Sequence, residues 1–383
     1  MPKPRILIFI DWFLPGYKAG GPIQSCANMV EHLKNEYDFW VITRDTDYCE
    51  TEPYTTVKAG SWNMLSSHLQ VYYVAAPELK FSVLRKAAAE VRPDIIFING
   101  IYSFYFSVLP LRIAKYIGCS HVIVSARGML APSAIQVKGS KKKWFLRFTK
   151  LIGLYREVRF HATNSAEQEH ILQVLGQEQE VMVAPNLAKS CTGNGFSAKL
   201  KRRGELNLVS IGRISPEKNT LFALQLLKQL KPDTHLKLDI FGPVYDEAYW
   251  QECQSLIGQL RDQISVTYHG SIENDLVHTT LQQYHALLLP TKGENFGHII
   301  LESFVAGLPV IISDQTPWRN LRDRGIGYDL SLSAPESFVT AIYELADMPD
   351  EQYQKMTQAA FAHAQEFISD PKALEQYKVL FRF

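Results

Sequence analysis

The chain has 383 residues, enough for two domains of ordinary size, and 46% hydrophobic with 21% charged residues is a soluble globular composition. A formal net charge of +1 excludes a global pull toward nucleic acid, so any basic character must be local. Five scattered cysteines (Cys26, Cys49, Cys119, Cys191, Cys253) without a Cys-x-x-Cys pair argue for a reducing cytoplasm and against a structural zinc site. The first residues run into a strand without a cleavable signal, and no apolar stretch reaches the length of a membrane span. A cytoplasmic protein that neither crosses a membrane nor leaves by that route is expected.

Ile6 to Ile10 reads as a buried strand. The loop after it, Asp11 to Pro22, carries Lys18-Ala19-Gly20-Gly21-Pro22 ahead of a helix from Ile23 to Leu33. A glycine pair between strand and helix lets backbone approach a phosphate, although many turns contain one. Asp11, at the carboxyl end of the strand, is either a candidate base or a cap for its loop. Phe39 to Thr43 is a second strand, followed by Arg44-Asp45-Thr46-Asp47. An Asp-x-Asp pair can hold a divalent ion. With no other acidic cluster nearby, it reads as a solvated loop.

Val71 to Val74, Phe81 to Val91, Asp94 to Ile98, Ser107 to Ile117 and His121 to Ser125 then alternate strand with helix, the pattern of a parallel sheet covered on both faces. Two strand ends carry Asn99-Gly100-Ile101 and Ala126-Arg127-Gly128-Met129 on the side where such sheets place ligands. Lys138 to Arg159 is the most charge-biased segment. Its Lys141, Lys142, Lys143, Arg147, Lys150, Arg156 and Arg159 alternate with Trp144, Phe145, Leu146, Phe148, Leu151, Ile152, Leu154 and Tyr155. Such a basic amphipathic helix suits an anionic membrane surface or single-stranded nucleic acid, and equally a surface helix packed on its own domain.

Phe160 to Thr163, the helix Ala166 to Leu175 and Val181 to Ala184 close the first domain, 1–184, and 185–204 has linker composition. Gly193-x-Gly195-x-x-Ala198 mimics half a dinucleotide fingerprint but follows no strand, so it carries no weight. Leu206 to Ile211 opens a second domain, 205–368, and ends in Gly212-Arg213-Ile214-Ser215-Pro216-Glu217-Lys218-Asn219. Ser215 is expected to cap, and Pro216 to begin, a helix running to Leu230. Arg213 as a two-pronged donor and Lys218 as a point charge can both reach a diphosphate there. Leu236 to Phe241 ends in Gly242-Pro243, and Ile264 to Tyr268 in His269-Gly270. The stretch 287–312, LLLPTKGENFGHIILESFVAGLPVII, is a strand-loop-helix-strand unit. Its loop Lys292 to Gly297 leads into a helix start that favours an anion. Glu294 and Glu302, eight residues apart, frame that loop. They read either as ligand-binding carboxylates or as a solvated loop residue and a helix-start charge. Thr316 to Leu321, Tyr328 to Leu330, a helical stretch Ala334 to Phe367 and a short terminal helix follow.

Glu294-Asn295-Phe296-Gly297, the second Glu at 302 and Ala306-Gly307-Leu308-Pro309-Val310 resemble the signature of the family 4 retaining glycosyltransferases. Gly212-Arg213, with Lys218 five residues beyond the arginine, is similar to that family's other signature. The family's usual loop has Gly where Asn295 stands; because Asn tolerates left-handed backbone angles, the same turn is expected. The resemblance covers 205–345 firmly and the first domain by layout and its Gly-Gly loop. It implies an α/β chain of the GT-B fold, two Rossmann-like domains with parallel sheets facing across a cleft, and a tail, 369–383, crossing back to the first domain.

It further implies a hexosyltransferase moving a sugar, with retention, from a nucleotide-diphosphate sugar to a glycan or lipid-linked glycan acceptor. UDP is the favoured nucleotide and surface polysaccharide the expected product, made in the cytoplasm or on the inner face of the cytoplasmic membrane. On this resemblance Glu294 orients the donor sugar and Glu302 holds the ribose. Arg213 and Lys218 meet the leaving diphosphate, so neither metal nor cofactor is expected. Asn295, Phe296, Gly297, His298, Gly20, Gly21, Gly242 and Gly270 line the donor. Where many members carry His-Gly, this chain has Arg127-Gly128. That leaves the imidazole role unfilled and suggests an anionic group on acceptor or donor, with a structural salt bridge as the alternative; Lys18 is placed on the acceptor side with it. Segment 138–159 is expected to line the acceptor site or meet an anionic membrane, ahead of nucleic acid. A sugar-nucleotide 2-epimerase and a non-catalytic nucleotide-sugar-binding protein are the competing readings.

Overall fold

The central strands are short apolar runs buried on both faces, the signature of parallel sheets with helices on either side. In a computed structural model that describes residues 3–136, 139–189, 196, 199–231 and 235–382, the chain divides into two compact units. One comprises Met1–Ser190 with Pro371–Phe383, the other Cys191–Asp370. Lys138 and the Gly193-x-Gly195-x-x-Ala198 pattern lie outside the described residues, as does much of the expected linker.

The first unit holds strands Arg5–Phe9 (β1), Asp38–Arg44 (β2), Trp62–Ser66 (β3), Leu69–Val74 (β4), Ile95–Asn99 (β5), Val122–Ser125 (β6), Arg159–Ala162 (β7) and Glu180–Val183 (β8), in the order β3-β4-β2-β1-β5-β6-β7-β8. All pairings are parallel except β3 with β4. Alternate residues of β1 and β5 enter different cores: Leu7, Phe9, Ile96 and Ile98 go to one, Ile6, Ile8, Ile95 and Phe97 to the other. The second core also takes Tyr377, Leu380 and Phe381 from the terminal helix Lys372–Leu380. At about 1.5–3 kcal/mol per buried large apolar side chain, these three anchor the tail.

Two details of this unit depart from expectation. β3 was not foreseen, because its half-exposed pattern lacks a clean alternation, and it adds an antiparallel edge. The helix expected from Ser107 begins as a π turn, Phe104–Val108, capped by the Ser103 hydroxyl, and continues as Leu109–Ile117.

The second unit holds Glu205–Ile211 (β9), His235–Phe241 (β10), Ile264–Tyr268 (β11), Ala286–Leu289 (β12), Val310–Ser313 (β13) and Gly327–Leu330 (β14), all parallel, in the order β11-β10-β9-β12-β13-β14. Strand order therefore reverses between β9 and β12. That is the switch point of a doubly wound sheet, where the loops leaving the two strands diverge and open a crevice. Two expectations are corrected. The helix after β9 is Thr220–Lys228, so Ser215 and Pro216 sit in a turn and Asn219, with φ 63°, breaks the helix from it. Pro349 divides the expected long helix into Pro335–Asp347 and Asp350–Ser369, because the residue before a proline is forced out of the helical region.

Candidate active site

The loops leaving β9 and β12 meet at the switch point of the second unit and are tied to each other through the main chain. The carbonyl of Glu217 accepts from the Lys292 amide at 2.8 Å and from the Thr291 hydroxyl at 3.1 Å, and Asn219 donates its side-chain amide to the Pro290 carbonyl at 3.0 Å. Thr291 is fully buried, and its own carbonyl accepts the Ser313 hydroxyl at 2.5 Å. The Glu294 amide donates to the Gln315 carbonyl at 2.9 Å. Every tie fixes backbone, so the side chains are aimed before any ligand arrives.

Across this frame Lys218 donates to Glu294, with the two side chains only 18% and 12% exposed. Removing one partner of such a pair leaves a poorly solvated charge, a cost on the order of 3 kcal/mol. Arg213 lies on the same loop, 3.5 Å from Glu217 and over a third exposed, so its guanidinium is accessible. The helix after β12, His298–Val305, has Gly297 as N-cap at φ 78° and no side-chain cap. A side chain at Gly297 would meet Ile300 as well as the strain of that angle. The left-handed residue of this loop is Gly297; Asn295 is not among the left-handed residues, so its tolerance for such angles is not what keeps the turn.

Phe296 is buried against Trp318, Phe367 and His298, and its carbonyl accepts the Trp318 indole at 2.6 Å; its ring is packing, and its backbone holds the loop. Glu302 is half-buried, one turn into the helix. Gly242, at φ 143°, passes so close to the Gly212 carbonyl that a Cβ would lie 1.8 Å from it, and it donates to the Gly270 carbonyl at 2.7 Å. The three loops after β9, β10 and β11 are thus locked together, with His269 stacked on Phe241 at 4.6 Å beside them.

The remaining expected residues belong to the first unit. Gly20, at φ 70°, caps the helix Gly21–Leu33, which starts two residues earlier than the spacing suggested. The amide of Lys18 donates to Asp47, and its ammonium pairs with Glu50. Asp47 is a buried organiser of its loop, accepting the amides of Tyr17, Lys18 and Tyr48. Arg127 is left-handed at φ 53° and directed inward: it donates to Asn99 at 2.5 Å and Asn186 at 2.6 Å and lies beside Tyr377 of the tail. Segment 138–159 forms the helix Gly139–Leu151 followed by turns. No described helix is long and apolar enough to cross a membrane.

Residues 195–363 match the family model described as Glycosyl transferases group 1. The findings support a glycosyltransferase. The chain is 23% identical, over 72% of its length and 70% of the relative's, to a GDP-mannose:cellobiosyl-diphosphopolyprenol alpha-mannosyltransferase of Xanthomonas oryzae pv. oryzae (strain PXO99A). Its fold matches that of Alr3699/HepE from Anabaena, solved in complex with UDP and glucose, at TM-score 0.71 and 15% identity over 98% of both chains. Sucrose-phosphate synthase from Thermosynechococcus elongatus matches at TM-score 0.68 and 16% identity over 99% of this chain and 98% of that one. The fold is GT-B, two α/β domains each built on a mainly parallel sheet.

Sequence reasoning named the charged residues on these loops but missed the groups that tie the loops together: Thr291, Ser313, Gln315 and Asn219. A small hydroxyl residue just past an apolar strand was the available signal for Thr291 and Ser313.

Proposed function

We propose that the chain is a retaining hexosyltransferase that takes its sugar from a nucleoside-diphosphate sugar, UDP favoured, and gives it to a glycan or lipid-linked glycan in surface polysaccharide synthesis. The observation that carries this reading is the Lys218–Glu294 pair set across two loops that are themselves tied through Glu217, Thr291 and Lys292. In the reaction the bond from the anomeric carbon to the diphosphate breaks, a bond to the acceptor oxygen forms on the same face, and the acceptor proton passes to the leaving phosphate. Arg213 and Lys218 stabilise the charge growing on that leaving group, the kind of contribution that is usually largest in catalysis. Glu294 orients the donor sugar, and Glu302 holds the ribose. The helix start at Gly297 and His298 presents the positive end of its dipole. The Xanthomonas relative's name pairs a nucleotide sugar with a diphosphopolyprenol acceptor, and HepE was solved with UDP and glucose; both accord with this reading.

A lipid-linked acceptor also gives a role to the helix Gly139–Leu151. Trp144, 69% exposed, and Phe148 stack in parallel, with Leu151 82% exposed on the same stripe, while Leu146, Thr149 and Tyr155 fill the unit's interior. Exposed Lys141, Lys143, Arg147 and Lys150 surround the stripe. Aromatic burial, together with about 1 kcal/mol for each cation near an anionic surface, makes this a peripheral membrane contact.

Proton NMR of the purified protein with UDP-, GDP- and ADP-sugars, with and without lipid extract from its source, tests the reaction. Release of a nucleoside diphosphate with an axial-type anomeric signal in the product is expected. An equatorial-type signal overturns retention, and a new sugar nucleotide without release points to epimerisation. Because two side chains supply the positive charge, adding EDTA is expected to leave the initial rate unchanged; a rate restored only by a divalent ion would overturn that assignment.

A further inference from the structure

The loop that carries Glu294 is tied on one side to Glu217 through Thr291 and Lys292, and on the other it meets the stretch that follows β13. That stretch, 314–321, is itself anchored. The amides of Asn320 and Leu321 donate to the Asp329 carboxylate of β14 at 3.1 and 2.9 Å, and Arg319 lies 3.5 Å from the same carboxylate. The Trp318 amide donates to the Thr316 hydroxyl at 3.2 Å. Two groups reach from this anchor to the loop. The Gln315 carbonyl accepts the Glu294 amide at 2.9 Å, and the Trp318 indole donates to the Phe296 carbonyl at 2.6 Å. These bonds lie on either side of Asn295, so the backbone from which the Glu294 side chain leaves is held before and after that residue.

Trp318 is 6% exposed and enclosed by rings: Phe367 at 5.1 Å between centres, Phe304 at 5.6 Å, Phe296 at 5.7 Å and His363 at 6.1 Å. Any aromatic side chain would pack there. What only an indole adds is the N–H. A buried carbonyl that loses its donor keeps the full cost of leaving water, so the Phe296–Gly297 peptide is driven to move when that N–H is removed. It has little room to do so. At Gly297, with φ 78°, a Cβ would stand 2.8 Å from Ile300 and 3.6 Å from the indole nitrogen. The indole thus holds the peptide on which the loop turns left-handed into the helix His298–Val305.

We propose that Trp318 is a positioning residue of the donor site. It acts through the Phe296–Gly297 peptide, which keeps Glu294 aimed at the donor sugar and the helix start aimed at the diphosphate. The role rests on the transferase reading, and it names what orders that site before the donor arrives. Misorientation of a bound reactant slows the chemical step, so loss of the indole bond falls on kcat and spares affinity for the nucleotide alone.

Two variants of the full chain separate the hydrogen bond from the packing. Trp318→Phe keeps a ring in the cluster and removes the N–H, whereas Phe367→Leu loosens the cluster and keeps the N–H. With the sugar nucleotide that turns over in the NMR panel, Trp318→Phe is expected to lower kcat about tenfold while UDP affinity by calorimetry stays within about threefold. Phe367→Leu is expected to lower kcat less than about threefold. Nitrogen-15 labelling of tryptophan gives a readout that does not depend on turnover. The indole signal absent from the Trp318→Phe spectrum belongs to Trp318, and it is expected to exchange slowly with solvent and to move at saturating UDP or GDP. Should Trp318→Phe lose the wild-type circular dichroism, Thr316→Val, which frees the Trp318 main chain and shifts the same signal, stands in for both readouts. Equal losses of kcat in Trp318→Phe and Phe367→Leu overturn the role, as does an unchanged kcat in folded Trp318→Phe or an indole signal unmoved by bound nucleotide. Absence of binding by UDP, GDP and ADP would strike the transferase reading itself, and this role with it.

Discussion

The two switch points of this molecule share a topology and differ in how their charges are held. In the second unit, Lys218 and Glu294 close on each other across two loops whose backbones are cross-tied, and Arg213 stands open beside them. In the first, Asp11 follows β1 and Arg44 ends the neighbouring β2, and the guanidinium lies against the rings of Trp12 and Phe106. Cations fixed by main chain suit a highly charged leaving group, whose binding must strengthen as charge develops. The sharpest way to break this contrast is to neutralise one carboxylate in each unit. Glu294→Gln is expected to lower kcat about 10²–10³-fold with nucleotide affinity within a few fold, and Asp11→Asn, which keeps the Ser103 hydrogen bond, to lower kcat less than about tenfold. Steady-state kinetics with both substrates varied, together with nucleotide calorimetry, measures the difference. Equal losses of kcat in the two variants would erase the division of labour.

The same contrast governs what was legible beforehand. The strands of the second unit, and Arg213, Lys218 and Glu294 on the loops that leave them, could be read because each charge follows an apolar strand end by two to seven residues, so local spacing carries the geometry. Asp11 was visible as a strand-end carboxylate. Its partners were not, because Arg44 and Ser103 come from other strands and only the sheet order brings them together. Arg127 shows the limit of local spacing. Its place at a strand end left a ligand-facing cation and a structural salt bridge both open, and its side chain meets Asn99, Asn186 and Tyr377. β3 escaped notice because an exposed edge strand need not alternate.

The units also differ in how each completes its core. The second is built from one continuous stretch of chain, whereas the first borrows the terminal helix, with Tyr377 fully buried in its core beside Arg127. Tyr377→Ala is therefore expected to cost about 3–5 kcal/mol, the range for emptying a large aromatic site. Tyr377→Phe, which removes only a buried hydroxyl without a hydrogen-bond partner among the described residues, should cost less than about 1 kcal/mol. Urea unfolding followed separately by fluorescence and by proteolysis within each unit reads the result. A loss shared equally by the second unit would mean that the tail supports the whole chain and not one half of it.

A smaller effect tests whether the two units share anything in their response to acid. Each contains a histidine, fully buried in the first unit and half-buried in the second, whose charged form is disfavoured. His161, between the Ser125 hydroxyl and the Ala184 carbonyl, is pushed down by burial and then by Arg127. His285, which accepts the Asn207 amide at 3.0 Å, is lowered to about 4, first by burial and then by Lys201 and Lys199. A histidine neutral when folded but protonated when unfolded leaves stability intact above the unfolded value of 6.5. Between 6.5 and about 4 the unfolded chain binds the extra proton, so stability falls as pH falls. For His285, with allowance for partial solvent screening, the loss across that window is on the order of 2 kcal/mol. His285→Gln keeps an acceptor for Asn207 and removes the titration, so the pH dependence of unfolding of the second unit should flatten while the first keeps its slope through His161. If His285→Gln leaves the second unit's acid slope intact, its acid sensitivity comes from other groups, and the parallel between the two histidines fails.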